Sequence, residues 1–376
     1  MIPARIVVAP DSFGGWKTAS EIAERIATPL RAAGLRVVTR PISDGGEGLL
    51  DVLQSASLLD RVEHRQAYGP HGEPRGGLIG WRQAVPIIES STWLRTLARP
   101  HAPWSASSAG LGHVVASLLD TPGTIGLGGS STVDMGLGFL RAVGARLLDR
   151  RGRPIDGTAR SLWSLHRIEV SPGLLHNWTV WSDVSTPIER GAVAYSPQKG
   201  VAPDHLAYLA SGWAHVVNVW ERWRASHALP RHTIGHLGGG AAGGLGYTLM
   251  QLGAHLKLGA PTLTALLLPD LCADDLVITG EGCLDATTGE SKVVAAVALA
   301  CERRQAALVL VVGSVGSGAP DFGDILVCAD AARANATASS SRDTAFMHTI
   351  QVLVERLSGS TRDQSPQAAR EGRRSQ

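Results

Sequence analysis

The hydrophobic and polar positions of this chain follow two rhythms. Arg5–Ala9 reads RIVVA, a continuous β-branched run stopped by Pro10, which is the pattern of a strand buried on both faces. The next stretch changes to the helical period. Ile22, Ile26 and Leu30 form one apolar stripe, Thr18 with Glu21 spells a capping box, and Gly34 stands where helices favour glycine. Leu35–Arg40 reads as a second strand. This β-α-β opening predicts a parallel, doubly wound α/β sheet.

The same grammar returns late in the chain. Asp275–Thr279 and Leu308–Val312 are strand-like runs ending in glycine, Ser291–Arg303 reads as the helix between them, Asp324–Cys328 as a further strand and Asp343–Leu357 as a closing helix. The middle differs. Residues 61–90 alternate short strands with turns, Thr124–Leu127 and Trp178–Ser182 read as strands, and helices are expected at 134–144, 203–226 and 243–256. The pattern predicts a discontinuous α/β domain (1–65 and 262–358), a second α/β domain inserted at 66–261, and a tail at 359–376. Lys257 is expected at a helix end on the surface.

Composition narrows the class. Of 376 residues 44% are hydrophobic, which rules out disorder of the whole chain. Net charge is +2, and the tail alone supplies that excess: Arg362, Arg370, Arg373 and Arg374 stand against Asp363 and Glu371. A neutral body gives no electrostatic footprint for nucleic acid or an acidic membrane. The tail reads as disordered. The start, MIPARIVVAP, lacks a signal-peptide apolar stretch, and no apolar run approaches the ~20 residues of a membrane span. Four cysteines without a C-x-x-C pair exclude a zinc ribbon and make a disulfide framework a poor fit. The expected location is the cytoplasm.

Glycine is in surplus, 44 residues where a share of about 7% gives roughly 26. The surplus collects at element junctions: Gly45-Gly46-Glu47-Gly48 after Asp44, Gly128-Gly129-Ser130-Ser131 before Asp134, Gly238-Gly239-Gly240 and Gly243-Gly244 at a helix start, and Gly280-Glu281-Gly282 after a strand. Ligands of open α/β sheets bind at the carboxyl ends of strands. Glycine there lets backbone N–H groups converge on an anion. Acids share these junctions: Asp11, Asp44, Glu47, Asp183, Glu281 and Asp285. Carboxylates beside phosphate-binding turns suit Mg²⁺-dependent phosphoryl transfer, although Asp is equally at home in caps and turns. Only four of the 35 basic residues are lysine; Lys17, Lys199 and Lys292 neighbour these motifs.

Other sites find little support. The P-loop pattern and the G-x-S-x-G elbow are absent, the G-x-G-x-x-G reading at 126–131 ends in serine, and His227, His232 and His236 are flanked by loop residues. Trp213, Trp220 and Trp223 share a helix face, as core residues do.

The ordered set APDSF (9–13), SDGGEG (43–48), GLGGSSTVDMG (126–136), SDV-x-x-P (182–187), SPQKG (196–200), GGGAAGGLG (238–246) and DLVITGEGCLD (275–285) resembles the bacterial glycerate kinases of type I, from about residue 5 to 328. The resemblance implies one flavodoxin-like domain and one resembling restriction endonucleases, with the active site in the cleft. It implies transfer of the γ-phosphoryl group of ATP to a hydroxyl of D-glycerate, giving 2-phosphoglycerate, with Mg²⁺ as cofactor. Asp183, Lys199 and Asp11 are the expected catalytic residues, with Asp183 as base. Ser12, Asp44, Gly45, Gly46, Glu47, Gly128, Gly129, Ser130, Ser131, Asp134, Gly239, Gly240, Gly280, Glu281, Asp285 and Lys292 are expected to bind substrate or phosphate, and Asp44 and Asp285 to hold the metal. The expected partners are a nucleotide and a small hydroxylated metabolite, with a homodimer allowed and nucleic acid and membrane excluded.

The departures from the family pattern lie in charged positions. Gly14 stands where the family has Lys after PDSF and Cys283 where it has Arg. Val133 replaces Asn, Met135 replaces Gly, Thr186 replaces Asn, Ser291 replaces Gly, Val294 replaces Pro, and His113 stands where members tend to carry Glu. Each lost charged hydrogen bond costs about 1.5–3 kcal/mol. Two alternatives follow: a same-fold kinase for a larger or less anionic acceptor, to which Trp16, Trp93 and Trp104 would contribute if they line the cleft, or a non-catalytic nucleotide- or metabolite-binding homologue.

Overall fold

The computed structural model describes residues 3–97, 102–230, 235–286, 288, 292–328 and 339–362. In chain order the strands are β1 (Arg5–Val8), β2 (Val37–Thr39), β3 (Arg61–Tyr68), β4 (Pro74–Arg82), β5 (Val85–Glu89), β6 (Gly123–Leu127), β7 (Arg146–Leu148), β8 (Arg167–Glu169), β9 (Trp178–Ser182), β10 (His255–Leu258), β11 (Asp275–Thr279), β12 (Cys283–Leu284), β13 (Ala307–Val312), β14 (Ser314–Val315) and β15 (Ile325–Val327). The fold is mixed α/β. The chain forms two compact units, 1–42 with 264–376, and 43–263. The divisions fall at 42/43 and 263/264, where the sequence pattern had suggested 65/66 and 261/262. The difference at the first boundary arises because β3 pairs along its whole length with β4, and the helix Leu49–Ser55 before it is tied to β5 by the bond from Leu50 N to Glu89 Oε2 at 3.2 Å.

The first unit carries a five-stranded parallel sheet in the order β15-β13-β11-β1-β2. Counted along this unit's own strands that order is 2-1-3-4-5, the flavodoxin-like arrangement. The period of two explains the double winding. Ile6, Val8, Val309 and Val311 point to one face and pack with Ile22, Ile26 and Leu30 of the helix Ala19–Ala32 and with Phe346 and Ile350. Leu310 and Val312 point to the other and meet Val294 of the helix Val293–Arg304. The helix Ala19–Ala32 begins with both bonds of the Thr18–Glu21 capping box, and Gly34 follows it at φ +82°. The last helix runs Ser339–Arg362, so the first residues of the expected tail are helical; 363–376 lie outside the described residues.

The second unit carries a six-stranded mixed sheet, β10-β9-β6-β5-β4-β3, parallel from β10 to β5 and antiparallel through β4 and β3. Lys257 lies in β10, a correction to its expected helix end; the helix before it stops at Gln251. Trp213, Trp220 and Trp223 of the helix Leu206–Ser226 are buried in this unit's core, as their spacing required. Trp93 is fully buried, Trp16 packs on Phe13 and Phe346, and Trp104 on His205 and Tyr208, so these indoles have structural neighbours. No helix among the described residues is long and apolar enough to cross a membrane.

Candidate active site

In the second unit three chain segments converge on two glycines. The turn Ser43–Gly48 leaves the regular conformation at Gly45 (φ +95°) and Gly48 (φ +86°), with the Gly46 N–H donating to Asp44 Oδ1 at 3.0 Å. Gly128 follows β6, and Asp183 follows the neighbouring β9, its N–H bonded to the Leu127 carbonyl at 3.0 Å. A Cβ on Gly128 would lie 2.6 Å from Asp183 Oδ2 and 2.7 Å from Gly46 Cα. A Cβ on Gly46 would lie 3.1 Å from Asp44 Oδ1 and 3.4 Å from Asp183 Cβ. Glycine at 128 is what allows the two turns and the Asp183 carboxylate this close an approach, while a Cβ at 46 would fit only tightly. Glu47 is on the rim and pairs with Arg95.

The turn after Gly128 continues the cradle. Gly129 is exposed, at φ +61°. Neither its N–H nor that of Ser130 meets an intramolecular acceptor among the described residues. Successive unsatisfied N–H groups beside a left-handed residue form an anion-binding concavity. The Ser130 hydroxyl faces inward to Thr132 Oγ1 at 2.8 Å. The Ser131 hydroxyl also faces inward, accepting the Thr96 N–H at 2.8 Å.

Lys199 reaches this cradle from the 3-10 turn Pro197–Lys199, closed by Gly200 at φ +91°. It is 7% exposed, and its Nζ donates to the Thr132 carbonyl at 3.0 Å. Burial brings its pKa down to about 8, while the charges of Asp183 and Asp134 oppose that fall. A buried cation of this kind, mostly protonated at neutral pH, suits phosphate binding.

Two expected ligand groups sit differently in the structure. Asp134 is fully buried and takes hydrogen bonds from Ser108 N (2.8 Å), Ser108 Oγ (2.8 Å), Gly136 N (3.1 Å) and Gly138 N (3.2 Å). Burial raises its pKa and these four donors oppose the rise. Gly239 and Gly240 direct their N–H groups to the carbonyls of His236 (3.3 Å) and Thr186 (3.0 Å). Gly240 lies so close to Gly191 that a Cβ would sit 2.8 Å from its Cα. These glycines let the segments 188–195 and 241–251 approach each other. Sequence reasoning missed Ser108 and the left-handed run Ala242, Gly243 and Gly244 (φ +46°, +73° and +84°); the Gly-Gly pair was the available signal for the latter.

In the first unit the expected residues gather at the sheet's switch point, where β1 and β11 are neighbours. The Asp11 N–H donates to the Gly280 carbonyl at 2.9 Å, and Asp11 Oδ1 accepts from Ser12 N at 2.6 Å. Gly280 is required because a Cβ would lie 1.7 Å from the Val311 carbonyl oxygen. Glu281 Oε1 accepts from Thr288 Oγ1 at 2.7 Å, and that same hydroxyl accepts from Asp285 N at 3.1 Å. Lys292 occupies the N-cap position of the helix Val293–Arg304 without a side-chain capping bond. Lys17 is held by Glu21 at 2.9 Å. Asp44 and Asp285 belong to different units. Among the described residues no group of three His, Cys, Asp or Glu side chains is placed to hold a metal ion. Ser291 lies outside the described residues.

Comparison with known proteins bears on the family and the fold. The sequence model of the Glycerate kinase family matches residues 6–358. A glycerate kinase of Bacillus subtilis is 34% identical over 332 residues, covering 83% of this chain and 85% of that protein. A glycerate 2-kinase of Escherichia coli is 33% identical over 331 residues, covering 83% and 85%. A solved structure assigned as glycerate kinase 2 of Salmonella typhimurium superposes with a TM-score of 0.75 at 26% identity, covering 96% of this chain and 98% of that one.

Proposed function

The chain belongs to the glycerate kinase family, and from that premise we propose that it is an ATP-dependent kinase that phosphorylates the 2-hydroxyl of D-glycerate to give 2-phosphoglycerate. The observation that carries the reading is the buried Lys199 bonded to the Thr132 carbonyl, in the turn that follows the close approach of Gly46, Gly128 and Asp183. Phosphoryl transfer asks a protein for positioning and charge stabilisation. The N–H groups of Gly129 and Ser130 bind phosphate oxygens in this reading, and Lys199 neutralises the charge on the transferred group. Asp183 accepts the proton of the acceptor hydroxyl at its carboxylate. Within the first unit, Asp11, Ser12, Glu281 and Asp285 stand at the sheet's switch point, where open α/β sheets bind ligands.

Mg²⁺ fits this set. It is usually held by one or two carboxylates together with substrate phosphates and water, and Asp44, whose Oδ1 flanks Gly46 on the side of Asp183, is such a carboxylate. When bound, it would neutralise nucleotide phosphate charge.

One observation favours a second reading, a kinase for a less anionic acceptor. Gly14 is exposed with nothing within 4 Å of a Cβ, and Cys283 is exposed, so neither supplies the cation the family places there. ADP release with Mg-ATP, in the presence of D-glycerate and of a panel of uncharged polyols, separates the two. D-glycerate-dependent turnover supports the first reading; turnover with polyols alone transfers support to the second.

A further inference from the structure

Among the described residues the second unit buries two charged side chains, and they have opposite sign: Asp134 at 0% exposure and Lys199 at 7%. A buried carboxylate is costly unless it is hydrogen-bonded and faces an opposite charge. Asp134 has both. Its four donors come from Ser108, at the start of the helix Ala109–Ala116, and from Gly136 and Gly138 around the start of the helix Leu137–Ala142. The Ser108 hydroxyl in turn accepts from Phe139 N at 2.9 Å. The charged groups that act on Lys199 are Asp183 and Asp134.

The backbone between the two charges is fixed at nearly every peptide. Thr132 N donates to Ser130 Oγ (3.0 Å) and Thr132 O accepts from Lys199 (3.0 Å). Val133 O accepts from Trp213 Nε1 (3.0 Å). Met135 N donates to Gly243 O (3.0 Å), and Met135 O accepts from Thr248 Oγ1 (2.6 Å). Gly243 lies against the same Thr132 carbonyl, with 2.0 Å left for a Cβ. Met135 is held at φ +55° despite its side chain. A segment tied this densely with its carboxylate turned inward cannot present that carboxylate to a ligand without breaking four hydrogen bonds.

We propose that Asp134 is a positioning residue, which locks the Thr132–Met135 segment and supplies the buried negative charge that keeps the Lys199 ammonium on the Thr132 carbonyl. The inference deepens the kinase reading, in which Lys199 meets phosphate, and it replaces the ligand-binding role that the sequence alone gave Asp134.

Its test does not depend on turnover. The chain has four lysines, so lysine-labelled NMR of the full-length protein follows each amine, with Lys199→Arg giving the assignment. One lysine of the wild type is expected to titrate near 8. Asp134→Asn is expected to weaken the proton affinity of that lysine, and Asp134→Glu to restore it. A folded Asp134→Asn variant in which Lys199 titrates as in the wild type overturns the proposal. Where Asp134→Asn fails to fold because its amide meets N–H donors, Lys199→Met decides through the carboxyl ¹³C titration of Asp134. A carboxyl that protonates at higher pH once the buried cation is gone supports the pairing; an unchanged titration contradicts it. A protein that never phosphorylates glycerate would leave these results standing, so the two readings fail separately.

Discussion

Lys199 donates its ammonium to the Thr132 carbonyl at 3.0 Å inside the core of the second unit. A lysine seldom occupies such a place without a compensating charge. Here the charges of Asp183, which lies against Gly128, and of the fully buried Asp134 both favour the protonated amine.

Asp183→Asn keeps the shape of the side chain and removes its basicity. Loss of a positioned general base costs about 10²- to 10⁴-fold. The expected result is a fall of that size in kcat with little change in KM for nucleotide, measured by steady-state ADP release. An unchanged kcat removes Asp183 from the role of base.

Activity is expected to decline as pH rises through about 8, because burial lowers the Lys199 pKa to that value and the ammonium is the phosphate-binding form. The sign for stability is opposite. Between about 8 and the unfolded value of 10.5 the unfolded chain binds more protons at this residue than the folded one, so its contribution to stability rises with pH. A kcat/KM profile that stays level to pH 10 contradicts the assignment.

Gly128→Ala places a methyl 2.6 Å from Asp183 Oδ2 and 2.7 Å from the Gly46 backbone. Overpacking of this kind costs about 1–3 kcal/mol, and the carboxylate must move. Thermal melting and turnover are both expected to fall. Gly14→Ala, with open space around it, is the control and is expected to change neither.

Cys283→Arg introduces the cation that the family resemblance implies at that place, at the exposed first residue of β12. With D-glycerate as acceptor, KM is expected to fall about 10- to 100-fold, the worth of one charged hydrogen bond. No change in KM would show that the carboxylate is bound elsewhere.

Much of the first unit was legible because its signals are local. RIVVA, the Thr18–Glu21 box and the Ile22–Ile26–Leu30 stripe depend on neighbours within a turn or two, and each formed as read. Strand order was not legible, since it depends on pairing between Val7 and Val277, 270 residues apart. The glycine clusters marked the right turns but not the direction of their polar groups. Ser131 and Asp134 read as ligands and point inward, because Thr96 and Ser108, which satisfy them, come from other segments. Lys257 read as a helix end because nothing local shows that β9 lies alongside to pair with it.

The most direct measurement is the product formed from Mg-ATP and D-glycerate by the full-length protein, followed by ³¹P and ¹³C NMR. D-glycerate-dependent consumption of ATP, with phosphorus appearing on the 2-oxygen, is the expected result, and Asp183→Asn should abolish that signal. No ATP consumption above the glycerate-free background would contradict it.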